Sequence, residues 1–370
     1  MHTSSLSYQP RLDVMRFIAA ALVIMFHVYV WGPSVPSKNS MKISHLIFSH
    51  GHAGVSLFIV MSGYLMAQIF IRYPAATYGE FIFNRAVRIV PLALLVVLGA
   101  AAMQEMQGEQ WRTFLNLIFL QFNVDRANQI SPLWTVATEI QFYLLMPLLA
   151  AMIRKNGLLQ LLKLVAAIAI FRLMIVFYVM GWKSDSYNVV YNTLIGRFDQ
   201  FAIGIALAYV PGNLRKTLGN PLNVLAAVAL WLSLMALSQL NDWGAKGFGA
   251  ALVQSFYLTA EGAIAGYFMF SFLNMRCRIP FEKAIAVLGA SSYSMYLLHE
   301  IIVRTYMAHF PNYLIGIRAD SVLILLPLVS VISLVSYFWF EKSFLIFRRR
   351  YSDAPNAAYT EVSNARAAAE

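Results

Sequence analysis

The chain of 370 residues is 59% hydrophobic and 12% charged, with a formal net charge of +11 and a mean hydropathy of +0.63. Soluble domains carry about 25% charged residues, so this is the composition of an integral membrane protein, and its basic residues read as topology signals rather than nucleic-acid contacts. The single cysteine, Cys277, rules out an intrachain disulfide and a cysteine-rich metal site, and no P-loop or G-x-G-x-x-G turn supports nucleotide hydrolysis or a dinucleotide fold.

Residues 1–11 form a short polar N-terminal segment, and LDVMRFIAAALVIMFHVYVW follows at 12–31. About 20 apolar residues at about 1.5 Å each match a hydrocarbon core of about 30 Å. The run is longer than a signal-peptide core and no A-x-A-like site follows it, which favours a retained span. It nonetheless holds Arg16 and His27, and an ionisable side chain within a span costs roughly 2.5–3.5 kcal/mol on insertion scales. Eleven residues separate them, within about 20° of three helical turns, so both leave one helix face about 16 Å apart. Such a face suits the wall of a polar channel; equally, Arg16 could snorkel to the headgroups and His27 could be a satisfied interior histidine.

Further apolar runs lie at 54–71, 87–103, 133–153, 158–180, 189–210, 222–240, 248–273, 284–307 and 321–340. The expected fold is therefore an all-α polytopic membrane protein, a bundle of about ten transmembrane helices. Residues 114–122 are too few to cross and suit an interfacial or re-entrant segment after the third span. A cytoplasmic N-terminus puts Arg72, Arg85 and Arg88, then Arg154 and Lys155, Arg215 and Lys216, and Lys342 with Arg348, Arg349 and Arg350 on the inner side. The positive-inside rule favours that orientation, with both termini cytoplasmic. Residues 12–345 form one transmembrane domain, and 346–370 a basic segment running into a tail of disordered composition.

In this orientation Glu139 enters its span at a depth similar to that of His27, where a carboxylate can fix an imidazole's tautomer. Arg85 and Arg88, at i and i+3, share a face and with Arg16 form a cationic cluster suited to phosphates, or simply anchor the cytoplasmic edge. Gly54, Ser56, Ser62 and Gly63 lie in one apolar run, where small residues allow close packing of helices. His45, His50 and His52 crowd together without a carboxylate or cysteine at ligand spacing, so no metal is expected and contact with a sugar is preferred. Arg197 and Asp199 are two apart and cannot face the same way, and Arg172 needs only a neighbour of opposite charge.

Arg16 and His27 at R-x10-H spacing, GVSLFIVMSGYLM, NRAVRIVP, PLWTVATEIQFYLLMPLL, LGASSYSMYLLH and the closing FEK together resemble the acyltransferase 3 family of membrane-bound O-acyltransferases, over nearly the whole chain and in the family's order. The resemblance implies transfer of an acetyl group from cytoplasmic acetyl-CoA, the donor, to a hydroxyl of an extracytoplasmic or lipid-linked glycan. It implies catalysis by His27 with Arg16 and donor binding by Arg85 and Arg88; the residues themselves add Glu139 as the group orienting His27, as base or acyl carrier, and Arg16 as part of the cationic donor cluster. His52, Trp134, Tyr296 and His299 are the candidates for acceptor contact. Some members add a soluble esterase-like domain after the last span; here a short tail follows, so other polysaccharide-biosynthesis proteins are the expected partners for any further step, beside membrane lipid. A proton-coupled transporter built on the same arginines and histidines is the competing class.

Overall fold

In the computed structural model, residues 8–32, 41–105, 133–182, 190–241 and 248–352 are described, and all their regular structure is helical. The helices are α1 (Pro10–Trp31), α2 (Ile43–Ser49), α3 (Ala53–Arg72), α4 (Tyr78–Glu105), α5 (Leu133–Asn156), α6 (Leu158–Trp182) and α7 (Leu194–Ala208). There follow α8 (Gly212–Leu218), α9 (Pro221–Leu240), α10 (Phe248–Asn274), α11 (Glu282–Ala290), α12 (Ser292–His309) and α13 (Ile317–Phe347), the last containing two π-helical stretches.

Among the described residues eight helices, α1, α3, α4, α5, α6, α9, α10 and α13, are long and apolar enough to cross a bilayer. Two of the expected spans take another form. Helix α7, within 189–210, has only 15 residues, about 22 Å of helix. It starts where Thr193 accepts a hydrogen bond from the Gly196 amide and ends ahead of Pro211. The span expected at 284–307 is split at Ser291 into α11 and α12, which meet at 67°. The bend brings Gly289 onto α1, where a Cβ would lie 1.7 Å from the Asp13 carbonyl oxygen. The segment 114–122 and the tail from 353 lie outside the described residues.

Helix α3 is the hub. In its apolar window 78% of residues are buried, against 17% in α6 and 22% in α9, which therefore belong to the periphery. It runs along α7 and also packs on α1, α5 and α10. Small residues make these approaches possible: a Cβ on Gly63 would meet the Phe201 carbonyl oxygen at 2.1 Å, and one on Gly54 the Ala19 carbonyl oxygen at 2.3 Å. On the outer side of this hub Arg172 of α6 pairs with Asp199 of α7 at 2.9 Å, and its Nη2 donates to Thr259 of α10 at 2.8 Å. Arg172 thus ties three helices together.

Candidate active site: an arginine-lined cleft beside a histidine pair

A cleft of about 840 Å³, counted to its open mouth, runs between α1, α3, α4, α5 and α12. Arg16, Arg85 and Arg88 all line it. Arg16 is held by Asp13, one turn before it, at 2.5 Å. Arg85 keeps a buried Nε with no hydrogen-bond partner among the described residues. The donor candidates expected from the sequence are therefore brought together.

A fourth arginine, Arg348, stands beside Arg85 and Arg88 without lining the cleft itself. Asn84 clamps the backbone of Arg349, donating to its carbonyl at 2.9 Å and accepting from its amide at 2.7 Å. That clamp sets Arg348 close enough to Arg88 and Arg85 for burial, and then their charges, to push its guanidinium down to about 9 from the ordinary 12.5. Its Nε is also buried without a partner among the described residues. In the sequence Arg348 reads as a topology charge, and only the fold of the last helix reveals its place. Crowded guanidiniums with unused donors are a site for a polyanion, because their planar forks match phosphate oxygens.

Farther along the cleft stands Glu139, which accepts from Ser62 at 2.5 Å and from the Tyr143 hydroxyl. It lines the same cleft as the arginines. Its partnership with His27, expected from their similar depth, is not found: neither Glu139 hydrogen bond goes to that ring. Depth along two helices fixes a level, but the rotation of α5 decides which neighbour the carboxylate meets. Also in the cleft wall, Thr135 donates to the Tyr296 hydroxyl at 2.8 Å.

Beyond Tyr296 lies His299, their ring centres 5.8 Å apart. His299 is fully buried and its Nε2 faces Nδ1 of His27 at 2.9 Å. Trp31 stacks on the His27 ring at 4.4 Å, and the Arg304 guanidinium covers Trp31 at 4.5 Å. His27 is therefore a member of a histidine pair under an aromatic lid. The R-x10-H face holds both ends of this path: Arg16 in the cleft, His27 at the pair.

His52 sits beside this pair, linked through Phe26, whose ring lies 5.2 Å from His27 and 5.3 Å from His52. Its Nδ1 is 3.8 Å from Oε1 of Glu261, a residue without exposure. Glu261 accepts from Ser56, and Ser56 in turn accepts from Arg197 at 3.1 Å and from Gln200 at 3.0 Å. Arg197 lies over Tyr191 at 4.1 Å and Trp134 at 5.7 Å. Arg197 and Asp199 do face apart, one into this cluster and the other to Arg172. Arg197 Nη2 and Glu261 Oε1 are buried with no hydrogen-bond partner among the described residues.

The neighbouring histidines diverge. His45 meets the Tyr29 hydroxyl at 2.7 Å and Gln239 at 3.2 Å. His50 contacts Ser49 at 2.9 Å, and burial, followed by the nearby His52, lowers it to about 4. Among the described residues no three His, Cys, Asp or Glu side chains gather in a metal-binding group.

Comparison with known proteins bears on this arrangement. The chain is 25% identical over 331 residues to the O-acetyltransferase OatA of Staphylococcus aureus, covering 80% of this chain and 51% of that protein. It is 25% identical over 375 residues to BcsY of Komagataeibacter xylinus, a candidate membrane-bound transacylase, covering 94% of this chain and 85% of that protein. The peptidoglycan O-acetyltransferase OatA of Listeria monocytogenes is 27% identical over 233 residues, 56% of this chain and 34% of that protein. The chain spans about half the length of the Staphylococcus relative. No solved structure matches it. Residues 9–340, nearly all of the membrane domain, match the family described as the acyltransferase domain, and the chain accordingly belongs to the acyltransferase 3 family.

Proposed function

We propose that this protein takes an acetyl group from acetyl-CoA at the cytoplasmic face of a bacterial inner membrane and transfers it to a hydroxyl of an extracytoplasmic or lipid-linked glycan. The observation that carries this is the order of groups along one path: Arg16, Arg85, Arg88 and Arg348 near one end, the cleft with Glu139 along it, then Tyr296, and the His27–His299 pair behind it. Coenzyme A is a polyphosphate on a long thin arm. Its phosphates suit the guanidiniums, and the arm suits the cleft. The Arg16 to His27 separation of about 16 Å along α1 is comparable with that arm's reach.

At the far end His27 acts as general base. The acceptor oxygen attacks the thioester carbonyl as its proton passes to His27; the carbon–sulfur bond then breaks, and His27 returns that proton to the departing sulfur. Trp134, Tyr191 and His52 around the Arg197–Glu261 cluster form the acceptor side, where flat aromatic faces and unused buried donors and acceptors suit a sugar. The names of the OatA relatives, one of them a peptidoglycan O-acetyltransferase, support a glycan acceptor.

Membranes from expressing cells, given acetyl-labelled acetyl-CoA, test this directly. Label should enter the glycan fraction as a base-labile ester. Should labelled small molecules instead accumulate across the membrane without covalent change, the protein is a transporter.

A further inference from the structure

The His27–His299 contact has a direction that follows from what stands behind it. His299 Nδ1 lies 2.6 Å from the carbonyl oxygen of Tyr296, one turn back in α12. A carbonyl only accepts, so Nδ1 of His299 carries the hydrogen. A neutral imidazole has one donor and one acceptor, which leaves Nε2 of His299 as a lone pair. That lone pair is aimed at His27 Nδ1, 2.9 Å away. His27 Nδ1 must then be the donor to His299, the Val23 carbonyl one turn back in α1 being the other acceptor near the ring, and the free lone pair of His27 is on Nε2.

We propose that His299 is a positioning residue for the transfer reaction: it receives the Nδ1 hydrogen of His27 and so makes Nε2 of His27 the basic nitrogen. This rests on His27 being the general base, as argued above. The backbone of α12 thereby sets the tautomer of a residue 272 positions away in sequence. When His27 takes the acceptor's proton on Nε2, its Nδ1–H stays bonded to His299, which stabilises the imidazolium without placing a second charge in an apolar interior. A carboxylate does this in Ser-His-Asp sites; here a neutral histidine does it, and Glu139 remains free for the cleft. Trp31, stacked on the His27 ring at 4.4 Å and on His299 at 6.3 Å, limits rotation of both rings.

The test compares His299→Gln, His299→Leu and His27→Ala with the wild type in labelled acetyl transfer from acetyl-CoA, measuring kcat and KM separately. A Gln side chain offers a carbonyl oxygen near the place of His299 Nε2, whereas Leu fills the space without an acceptor. His299→Leu should lower kcat about 100-fold or more, the order of a lost or misoriented general base, and leave the KM for acetyl-CoA within about two-fold. His299→Gln should recover most of that loss, to within about ten-fold of wild type, as expected when one acceptor replaces another. Extraction of each variant as a single species in detergent checks folding. If His299→Leu keeps wild-type kcat while His27→Ala is inactive, or if Gln and Leu are equally impaired in folded protein, His299 does not orient His27. Activity in His27→Ala is a different failure, since it removes the base assignment itself.

Discussion

The hydroxyl of Tyr296 takes a hydrogen bond from Thr135 at 2.8 Å, and this bond joins α12 to α5 in the wall of the arginine-lined cleft. On one side of it lie Glu139 and the guanidiniums; on the other Tyr296 leads to His299 and His27. In the proposed reaction the donor arm passes this seam for its thioester to reach His27, and a closed seam would keep water from the ester.

Loosening the seam should uncouple the reaction. A neutral hydrogen bond contributes about 0.5–1.5 kcal/mol, so Thr135→Val or Tyr296→Phe should raise the open population about 2–10-fold. The expected result is more free acetate per acetyl group transferred, measured as the ratio of released label to glycan-bound label. An unchanged ratio in both variants would mean that the pair is only a packing contact.

Arg348 should contribute to donor affinity. Burial, and then the charges of Arg88 and Arg85, crowd its guanidinium, so a polyanion beside it relieves that repulsion. Arg348→Met should show a KM for acetyl-CoA raised about ten-fold, consistent with a charge-assisted bond of about 1.5–3 kcal/mol. A wild-type KM from Arg348→Met would remove it from the donor site.

Gly63 lies where α3 crosses α7, and a Cβ there would come within 2.1 Å of backbone, which has little freedom to yield. Gly63→Ala should cost about 1–3 kcal/mol through overpacking, seen as earlier thermal unfolding in detergent. Gly249, with no atom near its missing Cβ, is the control, and Gly249→Ala should leave the transition in place.

Arg172 and Asp199 form a buried pair, their side chains 2% and 5% exposed. Replacing only one partner strands the other charge, so Arg172→Leu should cost about 3–5 kcal/mol. The double change Arg172→Leu with Asp199→Leu should recover part of this loss in the same unfolding measurement, because no unpaired charge remains.

Hydrophobic run lengths made the helical class of the fold legible, and a spacing of eleven residues identified Arg16 and His27 as members of one face. Two adjacent arginines on a helix were enough to locate Arg85 and Arg88. The partners were not legible. His299 meets His27 through a packing of α12 on α1 that follows the bend at Ser291, and a hydropathy run reads straight through such a bend. Glu139 was expected beside His27, but its carboxylate meets Ser62 and Tyr143, partners that the sequence of α5 alone leaves undetermined. Arg348 became a cleft neighbour only through the Asn84 clamp, formed by residues 265 positions apart. Helix α7 reads as a span because its apolar residues dominate, although its buried Arg197 and Asp199 belong to a short interior helix.

The central claim is that His27 performs the transfer at the end of a path that starts at the arginines. The measurement that tests it most directly is labelled acetyl transfer in membranes carrying equal amounts of inserted wild type, His27→Ala, and the double change Arg85→Ala with Arg88→Ala. His27→Ala should lose about 10²–10⁴-fold in rate at every donor concentration, while the arginine variant should regain activity at high acetyl-CoA. Near-wild-type transfer by correctly inserted His27→Ala would contradict the account.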